Sequence, residues 1–566
     1  MHKTSLIKLT LFAIAIFANI NYLVFILNPA HADNLGFFIV TGIADTIAIV
    51  IFVSTWATAL YFELFKQRYY REIDELRQKG SYLLCNKVAV LVPIVNEDLA
   101  IVKNTIESLQ ALYGQKEIYL LDDGRKEATK AFAAQMNVRY ITRENNEFFK
   151  AGNLNNGLRY VSEEFVIVVD ADFALHPDFI RRTLPLFHDP RIGAVQTPQA
   201  YSNEETLFAK GSKYLQNIFY TYLQPGKNLV DSSFCVGTNV IYRKQALEAV
   251  GGIAEVTHSE DVFTTLKFLE HGLKVFYLNE QLAVGLSPTT LISFYNQQFR
   301  WARGGLTMML KHSTLLNRRL QPEQRIQFFL SNIFYLSGIS VVIYLLSPLI
   351  AILLNVKPLS DAYFWEWLPK YLLFFCSNFI FFMTLVKKNR LQSLVLGMFS
   401  FVPYISALCS VLFGLREFSW KPTNASSKGI ITKLLFPYII YLAVSIATVY
   451  LLFIGVFSFN TDLIEYYFWL LINIIIVATF IVQSYTATSK VTIPEFDQDH
   501  MDTAPIEVFS ALLNKDELIR HSQREWNAIP DTEPPKQKIR LKHYGTVEEI
   551  PTVKVRALSR MERNRR

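Results

Sequence analysis

The sequence predicts an α/β domain inserted between transmembrane α-helices, and three observations carry that expectation. Long apolar runs flank a stretch of soluble composition, short β-branched runs alternate with helical ones inside that stretch, and two of the strands end in acidic pairs. With 566 residues of which 51% are hydrophobic, and a positive mean hydropathy, the chain is too long for one ordinary domain and too apolar for a purely soluble protein.

A spanning helix needs about 20 mostly apolar residues, and runs at 6–27 and 37–62 meet that length. Lys3 and Lys8 before the first run and Ala30-His31-Ala32 after it mimic a cleaved signal peptide. A second apolar run follows at once, however, so residues 1–65 read as a transmembrane hairpin. Residues 66–327 are soluble in composition, and apolar runs return within 328–486, at 328–354, 364–386, 391–415, 434–457 and 466–485. The loop at 28–36 has no lysine or arginine, whereas Lys3, Lys8, Lys66, Arg68 and Arg71 lie across the membrane from it. That bias places the amino terminus and the insert on the cytoplasmic side of an inner (plasma) membrane. If 391–415 crossed, Arg416, Lys421, Lys428 and Lys433 would face outward, so that run is expected to be interfacial or re-entrant. Six spans result, with both termini inside. Residues 487–566 form a polar cytoplasmic tail interrupted by Pro530, Pro534 and Pro535, expected to be partly disordered.

Cys85, Cys235, Cys376 and Cys409 are scattered, with neither zinc-site spacing nor a disulfide pattern, as suits a reducing compartment. The net charge of +7 is spread over juxtamembrane loops and the basic end at 556–566. This is ordinary beside anionic lipid, and no nucleic-acid partner is expected.

Inside the insert, 88–92 reads as a strand, followed by the turn Pro93-Ile94-Val95-Asn96-Glu97 and an amphipathic helix at 99–112. A strand at 118–121 ends in Asp122-Asp123-Gly124, and one at 165–169 ends in Asp170-Ala171-Asp172. Strands alternating with helices imply a mainly parallel sheet, whose ligands gather at the carboxyl ends of the strands. Asp170 and Asp172 can share a hard divalent cation, which favours oxygen ligands and bridges to substrate phosphates. Alone, an Asp-x-Asp or an Asp-Asp-Gly is more often a solvated turn. Lys150-Ala-Gly-Asn-Leu-Asn155 joins a cation to a small polar segment fit for a diphosphate, or is a helix cap. Ser259-Glu260-Asp261 opens a helical run at 262–271, either as an ordinary N-cap with acids in the first turn or with Asp261 as a general base. In Gln297-Gln298-Phe299-Arg300-Trp301 the arginine suits a diphosphate and the tryptophan a sugar ring, unless the tryptophan merely anchors at the bilayer interface.

Taken in order, Asp122-Asp123, Asp170-x-Asp172, Asp261 and, after 35 intervening residues, Gln297-x-x-Arg300-Trp301 resemble the pattern of processive family 2 glycosyltransferases, bacterial cellulose synthases above all. The likeness runs from about 88 to 311 and on into the membrane helices. Phe234-Cys235-Val236-Gly237-Thr238-Asn239 resembles the acceptor-site segment of that family, Gly285-Leu286-Ser287-Pro288 precedes Gln297, and 420–429 resembles a diverged gating loop.

The resemblance implies a GT-A type nucleotide-sugar-binding domain. It implies donor contacts at Pro93, Asn96, Glu97, Asp122, Asp123, Lys150, Asp170, Gln297 and Arg300, and a Mg2+ or Mn2+ cofactor on Asp172 with Asp170. It makes Asp261 the base and sets Cys235, Glu260 and Trp301 along the acceptor polymer. The implied activity is processive, inverting polymerisation of UDP-glucose into a β-glucan, 1,4 or 1,3 linked, with translocation across the lipid bilayer and an accessory export protein as a further partner. A hyaluronan- or chitin-type synthase using UDP-N-acetyl sugars is the alternative, from which 285–288 leans away. A non-processive lipid-linked glycosyltransferase is another, against which Gln297-x-x-Arg300-Trp301 argues. Val95 stands where many relatives have a tyrosine, so stacking on uracil is not expected there, and Ser259 replaces a usual threonine. Arg520 and Arg524 have the spacing of a cyclic-di-GMP arginine pair without a downstream Asp-x-Ser-x-x-Gly, and read as part of a charged helix; no PilZ-like domain is expected in the tail.

Overall fold

The computed structural model describes residues 3–386, 390–414, 428–457, 459–487, 540–543 and 546–549. The gating-type loop at 420–427 and most of the tail lie outside the described residues, while 428–429 open a helix and 540–549 contribute a two-stranded hairpin.

The hairpin consists of α1 (Lys3–Ile26) and α2 (Leu35–Lys79), the latter started by Asn34, whose side chain accepts from the Phe37 amide at 2.9 Å. At 45 residues, α2 is about 68 Å long, more than twice the hydrocarbon thickness of about 30 Å. Its far half enters the soluble domain. There the fully buried Tyr69 donates to the Tyr277 carbonyl and accepts from the Asn279 amide, both at 2.8 Å. The boundary expected at 65/66 therefore falls inside one helix, because no glycine or proline interrupts α2 between Gly42 and Gly80.

The soluble domain follows as β1 (Val88–Ile94), α3 (Leu99–Gln110), β2 (Lys116–Asp122), β3 (Arg139–Thr142), α4 (Phe149–Leu158), β4 (Phe165–Val168), β5 (Phe173–Leu175), β6 (Ile192–Gln196), β7 (Ala200–Tyr201), α5 (Leu207–Leu215), β8 (Val240–Arg243), α6 (Glu260–Glu270), β9 (Lys274–Tyr277), β10 (Ala283–Gly285) and α7 (Leu291–Lys311). The strands expected at 88, 118 and 165 are β1, β2 and β4. They lie side by side in a seven-stranded sheet of order β3-β2-β1-β4-β8-β6-β9. Every pairing is parallel except those of β8, which runs against both β4 and β6. A small second sheet, β5-β10-β7, begins immediately after Asp172, so the Asp170–Asp172 turn lies where the two sheets meet. Alternation along β1 feeds two cores: Val88, Val90 and Val92 pack towards α2 and α3, Ala89 and Leu91 towards Val166, Val168 and Cys235.

The remaining helices are α8 (Pro322–Ile333), α9 (Ser337–Leu354), α10 (Phe364–Leu385), α11 (Arg390–Phe399), α12 (Phe401–Phe413), α13 (Lys428–Phe453) and α14 (Ile464–Thr486). The boundary expected at 327/328 falls inside α8, which starts earlier through Pro322 in its first turn and a reciprocal Gln321–Gln324 capping box. Seven helices among the described residues are long and apolar enough to cross a membrane, one more than the six spans expected. The extra one, Leu391–Phe413, is interrupted at Ser400 into α11 and α12, of 10 and 13 residues. α11 packs on α5 and α12 on α7, both helices of the soluble domain.

Tyr69 ties the helix that leaves the membrane to the edge of the large sheet. Tyr69→Phe is expected to remove about 1–3 kcal/mol, seen as a lower thermal midpoint of the purified chain; an unchanged midpoint contradicts that coupling.

Candidate active site

The carboxyl ends of β1, β2 and β4 carry the acidic residues, as an α/β sheet predicts for a ligand edge. Asp122 closes β2 and is completely buried. Its carboxylate accepts from the Gly124 amide at 2.7 Å, the Lys126 amide at 3.1 Å and the Tyr140 hydroxyl at 3.0 Å, which fixes the turn after the strand. Asp123 is held by Arg143 through a two-pronged ion pair at 2.6 and 2.7 Å. The same guanidinium donates to the Glu147 and Phe149 carbonyls at 2.7 and 2.8 Å. It thereby holds a loop in which Phe148 and Phe149 have φ of 55° and 47°, a left-handed conformation that bulky side chains disfavour. A Cβ on Gly124 would run into the Val95 carbonyl, so only glycine lets these two loops touch. Across that contact lie the exposed Asn96 and Glu97; the Glu97 carboxylate accepts from the Val95 and Asn96 amides at 2.6 and 3.0 Å. Pro93 is half-buried near the end of β1.

Lys150, in the first turn of α4, joins the two halves of the site. Its ammonium is bonded to the Asp170 carboxylate and donates to the Gly237 carbonyl at 2.7 Å. Burial works against the charge, yet Asp170, Glu260 and Asp261 outweigh it and hold the ammonium above its ordinary range. The Asp170 amide donates to the Thr238 hydroxyl at 2.8 Å, so the segment 237–238 and the Asp170–Asp172 turn are locked together. Burial, and after it the neighbouring Asp170, pushes the Asp172 carboxyl up to about 7. Burial and Glu260 raise Asp261 to about 7 as well. Gly237, at φ +86°, separates the two halves: a Cβ there would lie 3.1 Å from an Asp261 carboxylate oxygen and 3.6 Å from the Lys150 nitrogen. No third histidine, cysteine, aspartate or glutamate among the described residues joins Asp170 and Asp172 in a metal-holding group.

α7 packs against the loop that leads into α6, whose first turn carries Asp261. A Cβ on Gly304 would collide with the Ser259 side chain, and Ser259 itself has φ 57°. Arg303 meets the His258 ring at 3.1 Å. Burial first, then Arg303 and Arg300, hold His258 down at about 4. Gln297 and Trp301 are half-buried and Arg300 is exposed, all on α7. Tyr201, on β7, donates to Gln199 at 3.0 Å and to Gln216 at 3.2 Å, and lies within electrostatic reach of Asp172 and Asp170.

The structure thus brings together Asp170, Asp172, Lys150, Glu260 and Asp261. It does not bring the Cys235 side chain into the cleft. Cys235 is wholly buried in the core beneath Gly237, its amide donating to Thr265 at 3.0 Å, and burial pushes its thiol up to about 12. Asp122 and Asp123 have their carboxylates taken up by protein donors. Sequence reading missed Arg143, Tyr140, Tyr201 and His258; only the Gly304-Gly305 pair a turn after Trp301 signalled a close approach. A cavity of about 360 Å³ lined by Arg68, Arg71, Arg191, Asp231 and Lys274 lies at the amino ends of β6 and β9, away from these acids.

Residues 89–251 match the model of Glycosyl transferase family 2. The chain is 33% identical over 286 residues to cellulose synthase 2 of Novacetimonas hansenii, covering 49% of this chain and 18% of that relative. It is 33% identical over 272 residues to the UDP-forming cellulose synthase catalytic subunit of Pseudomonas fluorescens strain SBW25, covering 46% and 37%. The chain therefore spans less than half the length of these relatives. Among solved structures, the mannosyltransferase PcManGT from Pyrobaculum calidifontis, in complex with GDP-Man and Mn2+, is similar over 66% of this chain and 100% of that one, at 15% identity and a TM-score of 0.45.

Removing Arg143 would strand the buried Asp123 charge. Arg143→Met is expected to cost about 3–5 kcal/mol, read as a drop in the denaturation midpoint; a loss below about 1 kcal/mol would mean that water already shares this pair.

Proposed function

We propose that this chain, whose residues 89–251 match the family 2 glycosyl transferase model, acts as a membrane-embedded, processive, inverting synthase that polymerises UDP-glucose into a β-glucan, 1,4 or 1,3 linked, and passes it across the bilayer. The observation that carries this reading is the placement of Lys150, Asp170 and Asp261 around Gly237, which sets a donor-side acid pair against a candidate base across a single glycine.

The uridine end of the donor rests on 95–97 and 122–124, segments that Asp122 and Asp123 keep in shape through Tyr140 and Arg143. Lys150, Arg300 and Gln297 meet the diphosphate. Asp170 and Asp172 would hold a Mg2+ or Mn2+, a fit for a cation that needs only one or two carboxylates beside substrate phosphates. Bound there, it supplies electrostatic stabilisation of the departing diphosphate. The acceptor hydroxyl gives its proton to the Asp261 carboxylate as its oxygen bonds to the anomeric carbon and the bond from that carbon to the diphosphate breaks, releasing UDP with inversion. Glu260 and Trp301 line the acceptor, and Cys235 forms the packed floor below it. Facing a base loop and a half-buried tryptophan, the polymer leaves between the membrane helices, beyond which an accessory export protein is expected to receive it. α11 and α12, neither long enough alone to span and both packed on the soluble domain, lie at the cytoplasmic interface. This leaves six spans, with the catalytic domain and both termini in the cytoplasm.

The purified full chain supplied with labelled UDP-glucose and Mg2+ or Mn2+ is expected to release UDP and form labelled polymer, with both abolished by EDTA. Asp261→Asn should lower the rate by about 10²–10⁴-fold; UDP release without polymer from the parent chain would overturn the processive reading.

The pH dependence follows from Asp261. A base must be ionised, and this one is raised to about 7 by burial and Glu260. kcat/KM should therefore climb as pH rises through about 7 and level off above it. Glu260→Gln removes a like charge, so the rising limb should move to lower pH; a limb that stays in place contradicts the assignment of Asp261 as the base.

A further inference from the structure

The cavity at the amino ends of β6 and β9 takes no part in the reaction proposed above. Its volume of about 360 Å³ is that of a small-molecule site. One wall is a stripe of α2: Arg68, Arg71, Glu72 and Glu75 recur at helical spacing and so share a face. The facing wall holds Arg191 just before β6, Lys274 at the start of β9, and Asn228 and Asp231 at the end of the short helix Gln224–Asn228 and in the turn after it. At about 1.5 Å per residue, the α2 stripe begins about 4.5 Å and ends about 15 Å beyond Phe65, the last exposed large apolar side chain of that helix. The cavity therefore starts at headgroup depth and runs on into water.

Most of the charge in these walls is already paired. Lys274, buried, lies 3.2 Å from Asp231, 3.5 Å from Glu72 and 3.6 Å from Asp189. Arg191 holds Asp189 at 2.8 Å, and Glu75 pairs with Lys79 at 3.8 Å. Two cations are left over: Arg68 and Arg71 are exposed and have no ion pair among the described residues. Asn228 supplies a further donor. It is 6% exposed, its side-chain carbonyl accepts from the Tyr277 amide at 2.7 Å, and its amide nitrogen has no protein partner among the described residues. A buried donor left unmet in the wall of a cavity calls for a partner from outside the chain.

We propose that this cavity binds a polyol phosphate, with the phosphate on Arg68, Arg71 and the Asn228 amide and the hydroxyls on the carboxylates of Glu72 and Asp231. Guanidinium groups present paired N–H donors that match phosphate oxygens, and an ionised carboxylate only accepts, so hydroxyl groups suit it. The Lys274 ammonium offsets those carboxylates and keeps them from repelling the phosphate. At this depth such a molecule has two sources: the headgroup of a glycerol-bearing anionic lipid, or a soluble sugar or glycerol phosphate. Bound there, it clamps α2 to β6 and β9, beside the bond that Tyr69 makes to the Tyr277 carbonyl. The site lies at the opposite ends of the strands from Asp122 and Asp170, so it is separate from the donor site.

The test is calorimetric titration of the detergent-purified full chain with glycerol 3-phosphate, dihexanoylphosphatidylglycerol and inorganic phosphate. The parent chain is expected to bind at least one of the first two, and to bind inorganic phosphate, which lacks the hydroxyls, about fivefold or more weakly than that probe. Binding of glycerol 3-phosphate assigns a soluble ligand, and binding of the lipid alone assigns a headgroup. Arg68→Gln with Arg71→Gln should weaken the bound probe about tenfold or more. Lys103→Gln with Lys130→Gln, which removes two exposed charges elsewhere, should leave it unchanged. If the arginine pair is not recovered as a monodisperse protein, Arg71→Gln alone is read, with a loss of about fivefold expected. A parent chain that binds neither hydroxyl-bearing probe, an affinity that the arginine variants leave unchanged, or inorganic phosphate bound as tightly, overturns the proposal. Binding is read without turnover, so this proposal and the synthase reading fail separately.

Discussion

The ammonium of Lys150 is the interaction on which the rest of the site depends. Four carboxylates, Asp170, Asp172, Glu260 and Asp261, act on it or are acted on by it. They arrive on different parts of the fold: the Asp170–Asp172 turn between two sheets, and the start of α6 after a long excursion of the chain. Crowded carboxylates in a partly buried edge repel one another and lose hydration, and a single cation bonded to one of them and to the Gly237 carbonyl offsets both costs. Where negative charge is held in place this way, a further cation and a diphosphate can enter without the surrounding chain reorganising, which is the form electrostatic catalysis takes.

The second constraint is mechanical. α2 carries the membrane geometry into the soluble domain as one unbroken rod that ends against β9 through Tyr69. α7 does the converse, packing Phe299, Ala302 and Leu306 of the soluble domain against Tyr404, Ala407 and Val411 of α12, where Tyr404 donates to Gln298 at 3.0 Å. The paired glycines of α7 remove side-chain bulk where two neighbours press in: a Cβ on Gly304 would strike Ser259, and one on Gly305 would lie 2.6 Å from the Tyr335 ring. The start of α6, which bears Asp261, is therefore positioned by the same helix that borders the membrane segments.

Much of this was legible in the sequence, for identifiable reasons. β1, β2 and β4 are short, β-branched and bounded by turn residues, and their acidic ends stand at the sheet edge where an α/β pattern puts a ligand. The family match and the mixed sheet bear out the expected GT-A type of domain. What could not be read were partnerships between residues far apart in sequence. Nothing around Arg143 announces that it grips Asp123, and nothing around Tyr201 announces that it donates to Gln216. The depth of Cys235 was hidden as well, because its neighbours Phe234 and Val236 are as apolar as the residues of a surface acceptor segment. The domain boundaries set at 65/66 and 327/328 fall inside helices, because composition changes there while the backbone has no reason to break.

The most direct test of the account is the structure of the purified full chain with UDP-glucose and Mn2+ in Asp261→Asn, which binds donor without turning it over. The account predicts the cation on Asp170 and Asp172, the diphosphate against Lys150 and Arg300, and the anomeric carbon facing residue 261 across Gly237. A nucleotide bound elsewhere, or a sugar turned away from residue 261, would contradict it.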